Sequence, residues 1–78
     1  MYCVFNLLIG NEKVVLKDSK GKLLINEERK NDNLDAILED ILNELSRLHR
    51  QETIGVNYMG EIRLKNTGKF LNFFIYTK

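Results

Sequence analysis

Residues 33–51 read NLDAILEDILNELSRLHRQ, and the spacing of their apolar side chains decides the fold. Leu34, Ile37, Leu38, Ile41, Leu42, Leu45 and Leu48 follow one another at intervals of 3, 1, 3, 1, 3 and 3 residues. That is a helical period, and at about 100° per residue the side chains fall within one broad stripe. Asp35, Glu39, Asp40, Asn43, Ser46 and Arg47 cover the opposite surface. Asp32 or Asn33 offers a side-chain oxygen to the unpaired amides of the first turn. Acids come early and Arg47 and Arg50 late, which suits the helix dipole. The spacing predicts one amphipathic helix whose stripe must be buried against another element.

The segments on either side read as strands. Residues 2–9 are rich in β-branched, aromatic and aliphatic side chains and stop at Gly10 and Asn11. Residues 13–17 and 22–26 follow, joined by Asp18, Ser19, Lys20 and Gly21. Such a tetrapeptide suits a type I turn, with Asp bonding the backbone and Gly accepting a positive φ. Beyond the helix come residues 53–58, a turn at Met59 and Gly60, residues 61–65, a turn at Asn66, Thr67 and Gly68, and residues 69–77. The predicted order is βββ-α-βββ. Residues 15–24 and 63–71 echo each other weakly, as two hairpins with similar turn chemistry do.

The strands differ in patterning. Residues 61–65 alternate, Glu-Ile-Arg-Leu-Lys, so one face is buried and one wet. Residues 53–58 place Ile54, Val56 and Tyr58 on one side. The first and last strands are apolar on both faces: Cys3, Phe5, Leu7 and Ile9 oppose Tyr2, Val4, Asn6 and Leu8, while Leu71, Phe73 and Ile75 oppose Phe70, Asn72, Phe74 and Tyr76. Two-faced apolar strands belong at the centre of a sheet. The expectation is a two-layer α+β fold: a mainly antiparallel six-stranded sheet in the order 3-2-1-6-5-4, with one helix on one face. Six strands span about 24 Å, and a nineteen-residue helix of roughly 28 Å can cross them diagonally.

Length and composition bound the rest. Seventy-eight residues make one expected domain, 1–78, with a thin core. A single cysteine forms no internal disulfide, and one histidine with one cysteine cannot fill a four-ligand zinc site. Hydrophobic residues at 44% and charged residues at 29% fit a folded chain and not a disordered one. The N-terminal stretch lacks a basic region and a small-residue cleavage site. No run approaches the roughly 18 apolar residues of a membrane span, so the expected location is cytoplasmic, with no membrane partner. Nine Asn, eight Lys and seven Ile against one Ala carry the bias of an AT-rich genome.

Few residues suggest catalysis. His49 borders the apolar stripe near the helix end, without a recognisable Ser or Cys partner in sequence. Cys3 falls on a strand face expected in the core. Asp35 with Glu39 and Asp40 with Glu44 are i, i+4 pairs of the kind solvated on helix surfaces. The two Gly-Lys pairs, Gly21-Lys22 and Gly68-Lys69, lack the rest of a phosphate loop. The expectation is a non-enzymatic protein without metal or cofactor.

Binding fits better, because one helix covers one sheet face and nothing covers the other. Each central strand carries an Asn on its more polar face, which should point outward. The expected partner-binding surface is Tyr2, Val4, Asn6, Phe70, Asn72, Phe74 and Tyr76, with Leu8, Val15 and Leu24 extending it. Exposed apolar patches beyond a few hundred Å² usually mark an interface. Lys13, Lys17, Lys22, Arg63 and Lys65 are placed around it. Residues 31–51 carry five acids and two bases, net −3, so the remainder carries +4. A basic, aromatic sheet is one design for holding single strands. The hairpin of residues 14–26, with Lys17, Lys20 and Lys22 about its turn, resembles one in single-stranded-DNA-binding transcriptional coactivators. The resemblance implies possible contact with nucleic acid, though the order of the later elements departs from that family. A protein partner, another copy included, accounts for more: a small core without staples gains from oligomerisation. The leading expectation is a homodimeric protein-interaction module, an accessory protein of a phage or mobile element that binds and inhibits a host factor. A single-stranded nucleic-acid binder using the same face is the alternative.

Overall fold

The computed structural model describes residues 2–50 and 52–78, and His49 by its backbone alone. The expected places of the His49 side chain and of Gln51 therefore lie outside the described residues. The chain forms β1 (Cys3–Ile9), β2 (Lys13–Lys17), β3 (Leu23–Glu28), α1 (Leu34–His49), β4 (Thr53–Leu64) and β5 (Gly68–Thr77). The fold is α+β, one helix on one antiparallel sheet of five strands ordered β3-β2-β1-β5-β4.

The helix forms where its spacing places it. Asn33 caps it, its Oδ1 accepting from the Ala36 amide at 3.2 Å. Arg50 ends it in the left-handed region (φ 50°), donating its N–H to the Ser46 carbonyl at 2.8 Å. Ile37, Ile41 and Leu45 are buried against Phe5, Leu7 and Ile9 of β1, Val14 and Leu16 of β2, and Phe73 and Ile75 of β5. Leu38 and Leu42 pack at the margin of this core. The central pairing of the two terminal strands is seen, with β1 and β5 antiparallel from Cys3 opposite Thr77 to Ile9 opposite Leu71. The β2–β3 turn also follows its chemistry: Asp18 Oδ1 accepts from the amides of Lys20 and Lys22, and Gly21 sits at φ +82°.

The sheet has five strands and not six. The expected turn at Met59 and Gly60 is a bulge inside one continuous strand, β4. Tyr58 stands opposite Phe73 and Gly60 opposite Asn72, which leaves Met59 as the extra residue. Glycine makes this possible, because Gly60 adopts φ +99°. Both halves of β4 pair end to end along the ten-residue β5, so no strand lies outside them. A second bulge beside Thr53 leaves Ile54 unpaired. In β3 the register shifts opposite Leu16 and Lys17, making Leu24 the extra residue. It packs on the helix-side core, so Leu24 does not extend the outer surface as expected.

The bulge also reverses the faces of β4. Before it, Val56 and Tyr58 share the helix side with Ile75 and Phe73, and the Tyr58 and Phe73 rings lie 5.2 Å apart. After it, Ile62 points to the other side and packs on Phe70, while Glu61 and Arg63 turn toward the helix side. Arg63 therefore does not border the helix-free face, contrary to expectation.

The linker between β3 and α1 is tied to the β1–β2 turn. The Asn31 side-chain amide donates to the carbonyls of Gly10 (2.7 Å) and Lys13 (3.2 Å), and the Arg29 amide to that of Glu12 (2.9 Å). The helix thus starts at a fixed point beside one sheet edge and delivers the chain to the other.

Candidate protein-binding face

The helix-free face is built in rows across the strands. Val4, Tyr76 and Gly55 form one row; Lys17, Asn6, Phe74 and Asn57 the next; Asn26, Val15, Leu8, Asn72 and Gly60 the third. Residues two apart on a strand share a face, so Lys13 and Lys17 flank Val15 on this side. Tyr2, just before β1, stands at the rim and is 68% exposed.

Two features hold the surface in shape. Asn6 Nδ2 donates to Asn72 Oδ1 at 2.6 Å and to the Phe73 carbonyl at 3.1 Å, joining the two central strands by their side chains. The Tyr76 ring lies beside Gly55, within 3.9 Å of where a Cβ would stand. An aromatic ring beside an edge glycine fills the space that the missing side chain leaves. Val4, Asn6, Asn72, Phe74 and Tyr76 are all half-buried.

Phe70 departs from its expected place as an exposed anchor. It is only 2% exposed and forms a second small core with Leu8, Val15 and Ile62 on the helix-free side. Its ring lies against Gly10, where a Cβ would come within 2.9 Å of the ring edge. The turn residues Asn11 and Glu12 and the linker residues Arg29 and Lys30 stand about Phe70 at this end of the sheet. The candidate face is consequently the other end, centred on Phe74 and Tyr76.

The basic residues do not converge. Lys13 and Lys17 lie on the helix-free face, Lys22 follows the β2–β3 turn, Lys65 lies in the β4–β5 turn, and Arg63 belongs to the opposite side. Lys69 is engaged with Glu61 at 2.8 Å. An open groove of about 680 Å³ at this end has Phe70 in its wall, with Lys13, Arg29, Lys30 and Lys69 set against Glu12 and Glu28. Its charge is mixed.

Among the described residues no group of three or more His, Cys, Asp or Glu side chains is placed to hold a metal. Cys3 is partly buried against the core, Asp40 faces Arg29 at 3.3 Å, and Asp35 and Glu39 are exposed on the helix. No described helix is long and apolar enough to cross a membrane.

The sequence pattern did not single out the apolar surface of β4. Ile54, Val56, Tyr58, Met59 and Leu64 are all exposed. The available signal was the stretch from Thr53 to Gly60, which carries no charge and has glycines at 55 and 60. Compared with family models, curated proteins and solved structures, the chain matches none.

Proposed function

We propose that the chain is a non-enzymatic protein-interaction module whose helix-free face receives a protein partner. The observation that carries this reading is the half-exposed set Val4, Phe74 and Tyr76, with Tyr2 at its rim, on a face that no other described element covers. Aromatic side chains held by a strand ladder offer large contact area at small entropic cost, as binding hot spots do. Lys17, in the row of Phe74, borders that set, so the complementary partner surface is apolar at its centre and acidic at that margin. The small size and the Asn-, Lys- and Ile-rich composition support an accessory protein of a phage or mobile element, acting in the cytoplasm on a host factor. Single-strand nucleic-acid binding has less support, because Phe70 is buried and Arg63 lies on the other side.

The test compares variants in capture from lysate of the cells that express the chain. Phe74→Ala is expected to weaken retention of a specific partner by about tenfold or more, and Glu39→Ala to leave it unchanged. Equal retention by both variants, with both folded, contradicts the reading. So does tight binding of a labelled single strand that falls steeply with salt and is lost in Lys17→Ala.

A further inference from the structure

The helix-free face is not the only unpaired surface. β4 is an edge strand of twelve residues, about twice the usual strand length. Natural edges carry lysines, prolines or inward charges that block pairing with another chain. The other edge, β3, ends in Glu27 and Glu28. From Thr53 to Gly60 β4 carries neither charge nor proline over eight residues, and only its bulges at Ile54 and Met59 interrupt the edge. Its helix-side apolar residues are also uncovered. The helix core reaches β3, β2, β1 and β5, but Val56 remains 37% and Tyr58 55% exposed beyond its flank.

We infer that this edge pairs with β4 of a second copy, giving a two-fold dimer with one continuous ten-stranded sheet. The inference rests on the reading of the chain as an interaction module and names one partner and its mode of docking. The segment is self-complementary. Antiparallel pairing centred on Asn57 sets Val56 of each copy opposite Tyr58 of the other. No like charges stand opposite each other. Ile54, Val56, Tyr58 and Met59 together expose on the order of a few hundred Å² per copy. Doubled by symmetry and joined by the strand backbones, that approaches the ~1,000 Å² of a specific interface. The bulges at Ile54 and Met59 leave residues 55–58 as the regular stretch in which this pairing forms. Such an isologous contact closes after two copies, and the acidic β3 edges at the outside discourage further growth. Two antiparallel edges related by an axis normal to the sheet put both helices on one side. The two helix-free faces then form one surface on the other.

Light scattering over a concentration series tests the assembly, and an engineered cysteine tests its register. The wild-type chain is expected at about twice its 9.1 kDa mass. Val56→Lys, at an exposed position, is expected to retain its far-UV circular dichroism and to run as a monomer. In a Cys3→Ser background, Asn57→Cys stands opposite itself across the axis, within the Cα separation a disulfide spans. It is expected to form a covalent dimer on mild oxidation, whereas Ser19→Cys in the distant turn is not. A wild-type monomer at all concentrations overturns the inference, as does a Val56→Lys dimer or cross-linking from Ser19→Cys alone. Phe74→Ala separates this inference from the proposed function: it is expected to keep the dimer mass while losing the other partner. A dimer that Phe74→Ala abolishes and Val56→Lys leaves intact assigns self-association to the helix-free face and also overturns the inference.

Discussion

Single residues set the limits of this fold. Gly10 is one: its missing side chain is the space into which the Phe70 ring closes, and Phe70 anchors the small core on the helix-free side. Gly10→Ala places a methyl group against that ring and is expected to cost about 1–3 kcal/mol of stability through overpacking. Urea denaturation measures the loss, and an unchanged midpoint contradicts the packing described. Asn6 and Asn72 act at the same scale. Their 2.6 Å bond pairs the Asn6 amide with the Asn72 side-chain oxygen across the two central strands. The two asparagines were legible as markers of the outward face, because each interrupts an apolar alternation. The burial of Phe70 was not, because it depends on a glycine sixty residues away in sequence.

At the scale of elements, regular periodicity was readable and irregularity was not. The helix, its Asn33 cap, the Asp18–Gly21 turn and the pairing of the terminal strands all follow from spacing and turn chemistry. The errors cluster at bulges. Met59 and Gly60 have the composition of a turn, and only the length of β5 makes them an interruption within one strand. That single extra residue exchanges the faces of Ile62 and Arg63 and redistributes the expected basic border. Gly60 carries the bulge at φ +99°, a conformation costly for any residue with a Cβ. Gly60→Ala is expected to lower stability by about 1–2 kcal/mol. Since no neighbour lies within 4 Å of the added Cβ, that loss reports backbone strain and not a clash. A thermal melt at the wild-type midpoint contradicts the bulge as described.

The whole molecule is two-sided. Its helix segment is acidic and the remainder basic, so a net charge of +1 conceals an uneven distribution. A sixteen-residue helix about 24 Å long covers a strip of a five-stranded sheet about 19 Å wide and leaves the rest open. What remains is one helix-free face, with Phe74 and Tyr76 toward one end, and an edge along β4 that is uncharged from Thr53 to Gly60. Both follow from the same shortage: one helix cannot cover two faces and every strand. The central claim is that the helix-free face carries the partner, and site-specific photo-crosslinking tests it most directly. A photoreactive amino acid is placed either at Tyr76 or at Glu39 on the solvent side of the helix, and the cells are irradiated. The expected result is a discrete adduct heavier than the chain and its dimer from position 76 and none from position 39. Adducts from position 39 alone, or equal adducts from both, contradict the claim.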